Sequence, residues 1–555
     1  MSKPDPQTQV LIIGGGIVGL TASLFLSSQN LTSTLVERHT STSIHPRARG
    51  VNARVMELFR GLGIDDAIRE AGASLAPSKG IYKGSSLVDV IGPQKRKEKE
   101  VEGKLPFTSY FEGWLGPVEG ARGTQDYIEP VLLGAARERG GVVRFYTECV
   151  AFEQDENGVS ATLRDRDAGV EEVVRAQYLI AADGAESQIR KKLGVGTTGA
   201  GSLGHLLNIL FEADLREFVR GREFSLCYVE GKEVRGLFTS INNSDRWVFH
   251  LSYDPSKGEK VEDFPHERCR ELIGLALGIP EVKIEIKSIL PWEPTVRVAE
   301  KLQHGRIFLA GDAAHQMPPW GGQGATSGIA DVHNLAWKLA AVIHGQATNT
   351  LLSTYDAERL PVGRLAAEES GSVADEHGLF TLDKSVSGIL TLIARIPRIA
   401  GYGYTYSSQA IKTEDTTPLL WRQRWLWEPV PWLCCLDGGA GTRAPHLWVQ
   451  HNGQRISTLD LSGKSFVLLA GAKGDAWCEA AQKVASVIGV ELVAYRAGPA
   501  GNLVCQRGKW EWLAGISATG ALLVRPDGFV AWRVYEQPPD FQENLKRVLM
   551  QALCR

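Results

Sequence analysis

The feature that most constrains this chain is a set of three spaced glycines, Gly14, Gly16 and Gly19, placed directly after the apolar run Val10-Leu11-Ile12-Ile13. A short apolar run halted by glycine predicts a strand buried on both faces, and the helix-compatible stretch from Ile17 to Ser28 predicts the helix that follows it. Ser33 to Glu37 reads as the next strand and completes a βαβ unit. The spacing alone is weak evidence, because ordinary strand-to-helix turns share it. The strand before it, the helix after it and the acid beyond it make it a dinucleotide site. Gly14 permits the tight turn, Gly16 lets backbone N–H groups approach a pyrophosphate, and Gly19 allows close helix-to-sheet packing. Glu37 is placed to accept protons from ribose hydroxyls.

Two acidic corners repeat the theme. Asp183-Gly184 follows the apolar Tyr178 to Ala181, and Gly311-Asp312 follows Arg306 to Ala310. Each lies at the C-terminal end of a buried strand, the edge of an open sheet where ligands bind, and a carboxylate there can hold a sugar-alcohol chain. Arg47, in His45-Pro46-Arg47-Ala48-Arg49-Gly50, offers a planar cationic fork suited to pyrophosphate.

A chain of 555 residues predicts three or four domains at roughly 150 residues each, which excludes a lone binding module. With 61 basic and 64 acidic side chains the net charge is −3, so no bulk field draws it to nucleic acid or acidic membranes. No apolar run reaches the ~18 residues that span a bilayer, and the polar Met1 to Thr8 lacks a secretion signal. The eight cysteines form no C-x-x-C pair and read as reduced thiols. A cytoplasmic protein without a metal site is expected.

From about Thr198 to Pro291 the pattern changes to alternating strands, including Phe224 to Glu230, Arg235 to Ile241 and Arg246 to Tyr253, which predicts an antiparallel sheet. The charged run Lys95 to Glu100 reads as solvated surface. Ser327 to His344 reads as a helix with one buried stripe, Ile329, Val332, Leu335, Leu339 and Val342. Near the C-terminus, a strand at Ser465 to Ala470, a helix at Trp477 to Ile488, a strand at Glu491 to Tyr495 and a hairpin from Gly520 to Arg533 have a thioredoxin-like order.

Glu37-Arg38 with its preceding glycines, Asp183-Gly184, and Gly311-Asp312-Ala313-Ala314-His315 leading through Pro318-Pro319 to Gly321-Gly322-x-Gly324 together resemble the class A flavin-dependent aromatic hydroxylases. Within that family the chain is most similar to the aromatic polyketide hydroxylases of the aklavinone 11-hydroxylase type. Thr442 to His446 and Leu523 to Arg533 resemble their C-terminal domain. The resemblance implies an α/β protein with a Rossmann-type FAD-binding domain (1–80, 110–195 and 292–365), an antiparallel-sheet substrate domain (81–109 and 196–291), a helical connection (366–412) and a C-terminal thioredoxin-like domain (413–555).

It also implies roles. Arg47 lies near the FAD pyrophosphate, Gln125 contacts the ribityl region, and Asp312 binds the ribityl chain. Asp183 and Gly184 serve FAD and the nicotinamide cofactor. Pro318 and Pro319 pass the reactive flavin edge, and the backbone of Gly322, Gly324, Ala325 and Thr326 meets the pyrimidine end. The family usually has Asn where Thr326 stands, so backbone contact is expected there in place of side-chain contact.

The implied reaction is hydroxylation of a phenolic, polycyclic, polyketide-like aromatic through a flavin C4a-hydroperoxide, consuming NADPH or NADH and O2. Baeyer–Villiger insertion, epoxidation or rearrangement on a secondary-metabolite scaffold use the same motifs, and an inactive flavin-binding protein would retain them. No catalytic base is assigned. Phe224, Tyr228, Phe238, Trp247, Phe249 and His250 on the expected strands, with Trp320, are the candidate walls of the substrate pocket. His315 reads equally as a structural or an acid–base residue. The vicinal Cys434-Cys435 read as buried thiols, and the lone Cys478 leaves the last domain without a dithiol.

Overall fold

The computed structural model describes residues 7–47, 50–75, 80–91, 115–279, 281–319, 322–374, 391, 395, 397–399, 401–413, 418 and 434–555. Lys95 to Glu100, Trp320 and Gly321 fall outside them. β1 (Thr8–Ile13), α1 (Ile17–Ser28) and β2 (Ser33–Val36) form the βαβ unit that the glycine spacing implies. After α2 (Ala53–Gly61), β3 (Ile81–Gly84) and α3 (Gln125–Glu138), the chain returns through β4 (Val142–Arg144) and the long β5 (Glu171–Ala181). The middle contributes β6 (His205–Glu212), β7 (Leu226–Glu230), β8 (Arg235–Ser240), β9 (Arg246–Tyr253), α4 (His266–Leu277) and β10 (Glu285–Trp292). β11 (Ile307–Leu309), α5 (Gln323–Ile343) and α6 (Thr350–Gly371) follow. The C-terminal part holds β12 (Phe466–Ala470), α7 (Asp475–Ile488), β13 (Leu492–Arg496), β14 (Ala521–Val524), β15 (Val530–Val534) and α8 (Phe541–Ala552).

Strands β11, β5, β1, β2 and β4 lie side by side and parallel, with Ile12 registered against Ile180 on one side and Leu35 on the other. Parallel strands are covered on both faces, which is why they read as unbroken apolar runs. α1 is apolar on nearly every side, with Leu20, Ala22, Leu24, Phe25 and Leu26 all buried, as suits a helix packed between the sheet and α5.

The second sheet has the order β10-β6-β9-β8-β7-β3, antiparallel except for the last pair. The excursion beginning at residue 81 therefore joins this sheet. One boundary differs from the sequence reading: Thr197–Ser202, expected with the second sheet, pairs instead with Thr295–Ala299 in a separate three-stranded sheet. Alternation alone does not specify a partner strand.

The C-terminal sheet runs β13-β12-β14-β15, with β12 and β13 parallel and the other pairs antiparallel. It docks on α5 and α6, and its core continues through Trp337, Ala341 and Leu351 of those helices. Buried charges cross the same junction. Arg525 donates to both oxygens of Glu358 (2.6 and 2.8 Å), and Lys338 donates to Glu358 at 2.8 Å. Burial would raise the Glu358 carboxyl, but the charges of Arg525 and Lys338 overturn that and hold it below the usual range. Burial pushes Lys338 down to about 8. Among the described residues no helix is long and apolar enough to cross a membrane.

Candidate active site

The glycine turn closes as its spacing requires. Gly14 has φ +110°, and a Cβ there would lie 2.2 Å from the Ala182 carbonyl oxygen; one on Gly19 would lie 1.9 Å from the Gly14 oxygen. Gly16 is different, because a Cβ there meets nothing closer than a Glu129 carboxylate oxygen at 3.6 Å. Gly16 gives α1 no side-chain cap of its own and the first turn holds no acid, while the Glu129 carboxylate from α3 accepts from the Ile17 amide; a helix N-terminus of this kind suits an anion. Glu37, at the end of β2, accepts from the Gly15 N–H (2.6 Å) and from His39 N (2.9 Å). His39 Nδ1 also donates to the same Oε1 (2.6 Å), so Oε2 is the oxygen that keeps a further lone pair for a ribose hydroxyl. Arg38 is exposed, and its carbonyl accepts from Arg166 at 2.8 Å.

Glu129 is a site residue that sequence reasoning missed. It lies one helical turn beyond Gln125, on the same face of α3, and that spacing was its only signal. Its carboxylate is buried, accepts from Gln125 Nε2 (2.5 Å) and Ser43 N (2.8 Å), and borders the first turn of α1. Desolvation raises its pKa and the neighbouring Glu37 charge adds to the effect, while hydrogen bonds from Gln125, Ser43 and Ile17 pull it down.

Arg47, Gln125 and Asp312 converge. The Gln125 N–H donates to the Arg47 carbonyl (2.9 Å), and the Arg47 charge reaches Asp312. Asp312 lies deep in the fold yet keeps an accessible surface, the combination expected of a residue lining a cleft. Crowding raises its pKa, and His315 and Arg47 pull against that rise. At the other corner Gly184 has φ +81°, and Asp183 uses one oxygen to accept from Ile189 N (3.1 Å). Its second oxygen is buried without a partner, a polar atom that calls for a ligand or water. Arg190 ties the two corners by donating to the Ala313 and Ala185 carbonyls (2.9 and 3.2 Å).

Beyond Asp312, Pro318 is buried and Pro319 exposed. Gly322, at φ +65°, caps α5, and its N–H donates to the Pro319 oxygen at 3.1 Å. That helix end also lacks a side-chain cap, and Gly324, Ala325 and Thr326 lie half-buried in its first turn. The Thr326 hydroxyl donates to the Gly322 carbonyl (3.1 Å) and accepts from Asn52 Nδ2 (3.1 Å). An amide from the N-cap of α2 thus stands beside the position where the resemblance expects one.

Strand alternation divides the six candidate pocket aromatics that fall in the described residues. Phe224, Phe238, Trp247 and Phe249 pack with Phe211 against Cys269, Leu272, Ile273 and Ala276 of α4, on the face turned away from the parallel sheet. The expectation that they line the pocket is corrected: they are the core of their own layer. The opposite face meets α3, where Arg246 pairs with Asp126 (3.1 Å) and Val248 packs beside Tyr127. Tyr228 and His250 lie on that inner face, with Asn208 and Thr239.

His250 Nδ1 contacts Asn208 Oδ1 (2.5 Å), and its Nε2 contacts Thr239 Oγ1 (3.0 Å). An amide oxygen only accepts, so Nδ1 carries the proton and Nε2 receives the Thr239 hydroxyl. Burial pushes His250 down to about 4, and His45 adds to the effect. His45 is itself buried and is lowered to about 4 by burial and then by Arg47, while a backbone hydrogen bond with Asn208 pulls the other way.

Residues 7–370 match the family model described as FAD binding domain, and residues 437–553 match that of the aromatic-ring hydroxylase C-terminal domain. The chain belongs to the FAD-dependent aromatic-ring hydroxylases. This hydroxylase is 41% identical over 561 residues to a putative polyketide hydroxylase of Streptomyces halstedii, covering 98% of this chain and 97% of the relative. It is 38% identical to tetracenomycin A2 monooxygenase-dioxygenase of Streptomyces glaucescens, covering 99% and 97% of the two chains. The crystal structure of aklavinone-11 hydroxylase with FAD and aklavinone superposes with a TM-score of 0.84 at 36% identity, covering 100% of both chains.

The residues present fit FAD. A Cβ on Gly16 would have room, neither Gly16 nor Gly322 fills the end of α1 or α5 with a side chain, Asp183 has an orphan oxygen, and Asp312 keeps accessible surface. The hydroxylase is an FAD-dependent monooxygenase, and bound FAD supplies its redox and oxygen-activating chemistry.

Proposed function

We propose that this hydroxylase introduces oxygen into a phenolic, polycyclic, polyketide-like aromatic, consuming O2 and NADPH or NADH in the cytoplasm. The observation that carries the reading is the inner face of the second sheet. It sets Tyr228, Thr239, His250 and Asn208 opposite the nucleotide-binding elements, a mainly apolar wall with a few fixed polar groups. The Thr239 hydroxyl, committed as a donor to His250, keeps its lone pairs for a substrate O–H. A neutral His250 orients that hydroxyl and takes up no proton near neutral pH. The orienting network lets the substrate ring be held in one pose, and a fixed pose is worth more to the rate than affinity alone.

In this reading Glu37 takes the adenosine ribose, Arg47 the pyrophosphate, and Gln125 and Asp312 the ribityl chain. Asp183 and Gly184 serve both nucleotides. Pro318 and Pro319 border the reactive edge, and Gly322 to Thr326 present backbone amides to the pyrimidine end. The C-terminal part is a thioredoxin-like domain without dithiol chemistry, since Cys478 stands alone at the start of α7 and burial raises its pKa.

The test is a panel of polycyclic phenols and their O-methyl ethers scored for stimulated NADPH oxidation, with product mass. Stimulation by phenols with gain of one oxygen atom supports the reading. Stimulation by the ethers alone, or ring-expanded lactone products, replaces it with insertion chemistry.

A further inference from the structure

Glu358 and Arg359 are neighbours on α6, both fully buried, yet they serve different parts of the molecule. Glu358 receives Arg525 from the C-terminal part. Arg359 turns to α5, donating from Nε to Asp331 Oδ1 (2.8 Å) and from Nη2 to the Ser327 carbonyl (3.2 Å). The other Asp331 oxygen contacts His315 Nε2 (2.8 Å) and accepts from the Gly311 N–H (3.1 Å). Gly311 and His315 flank Asp312 in sequence, so one buried carboxylate grips both sides of the turn that presents Asp312 to the cleft. Desolvation would raise the Asp331 carboxyl, but its contacts with His315 and Arg359 hold it below the usual range. A carboxylate shared among a guanidinium, an imidazole and a backbone amide is fixed in direction as well as in place.

The far end of Arg359 is held from elsewhere. Its Nη1 donates to the Tyr406 hydroxyl (3.1 Å), and the Tyr406 ring stacks on Phe529 with centroids 4.1 Å apart. The Tyr406 N–H donates to the Gly441 carbonyl (2.9 Å). Phe529 sits in the turn between β14 and β15 that also carries Arg525 and Asp527. An unbroken set of buried contacts therefore runs from the C-terminal hairpin to the Gly311–Asp312 turn.

We propose that docking of the C-terminal part tightens FAD binding through a relay of positioning residues, Phe529, Tyr406, Arg359 and Asp331, that fixes the Gly311–Asp312 turn. The relay makes no contact with substrate. It gives the C-terminal part a task in cofactor retention that needs no cysteine chemistry. Coupling of this kind is reciprocal: FAD must stabilise docking of the hairpin by the same factor by which docking tightens FAD.

The experiment measures FAD dissociation constants by titrating apoprotein, and hydrogen exchange at the amides of residues 527–530 with and without FAD. Tyr406→Phe, which removes one hydroxyl, is expected to weaken FAD about fivefold. Asp331→Asn is expected to weaken it further and to abolish the slowing of hairpin exchange that FAD brings in the unaltered protein. An unchanged FAD constant in folded Tyr406→Phe protein overturns the proposal, and so does hairpin exchange indifferent to FAD in the unaltered protein. The second measurement needs no variant, so it decides the matter even where Asp331→Asn fails to fold. Neither result depends on which aromatic is the substrate.

Discussion

The two faces of the six-stranded sheet come from the same strands and differ in almost everything else. One face is closed by Phe211, Phe224, Phe238, Trp247 and Phe249 against α4. The other places Asn208, Tyr228, Thr239 and His250 opposite α3 and the loop that holds His45 and Arg47. Aromatic supply is therefore a poor guide to a binding face. A helix laid over large rings makes a core, whereas a face that carries a buried, directed polar network against a second domain has a reason to exclude aromatic filler.

The largest expected effect tests the closed face. Trp247→Ala should remove about 3–5 kcal/mol of stability, because the indole is fully buried and its Nε1 donates to the Ala213 carbonyl (2.9 Å). Denaturant unfolding measures it, and a loss below about 1 kcal/mol would break the assignment of that face as core.

The open face should instead show itself in acid. His45 titrates at about 4 in the folded protein against 6.5 ordinarily, so between those values the unfolded chain binds more protons. Stability from this group is full above about pH 6.5 and is lost as the pH falls toward 4, by roughly 3 kcal/mol in all. His250 adds a contribution of the same sign. A His45→Asn variant whose unfolding free energy declines with pH as steeply as the parent's would show that the loss arises elsewhere.

Across the cleft from that face, Asp312→Ala should weaken FAD by about 10- to 150-fold, the worth of a charge-assisted hydrogen bond of about 1.5–3 kcal/mol. Fluorescence titration of apoprotein reads it, and unchanged affinity would remove Asp312 from the site. The smallest effect separates the two faces most sharply. Thr239→Val keeps the shape and removes the hydroxyl, so KM for a phenolic substrate should rise about fivefold while FAD affinity stays at the parent value. The matching substitution on the closed face, Phe249→Leu, should lower stability and leave KM alone; a rise in KM there with stability intact would invert the comparison.

The turns that form the candidate nucleotide site were legible in the chain because each of them is local. The turn at Gly14, Gly16 and Gly19 needs only residues within one strand–turn–helix, and the corners at Asp183 and Gly311–Asp312 need only a buried strand ending in a turn. The α5 stripe of Ile329, Val332, Leu335 and Leu339 was readable for the same reason, as helical periodicity in one segment. Asp331 on that helix was silent, since its meaning comes from Arg359 on α6 and from the backbone of Gly311.

The sequence by itself determined the βαβ unit, the acidic corners and the positions at which strands alternate, because backbone conformation and side-chain period are set by near neighbours. Only the tertiary structure decided which face of the second sheet looks into the cleft, that residues 197–202 leave it for another sheet, and that Glu129, His45 and the Asp331–Arg359 pair border or brace the site. A strand of period two offers two faces and names neither. Which one is sealed depends on where a helix lands from tens of residues away, and a buried charge has meaning only with the partner that packing brings to it.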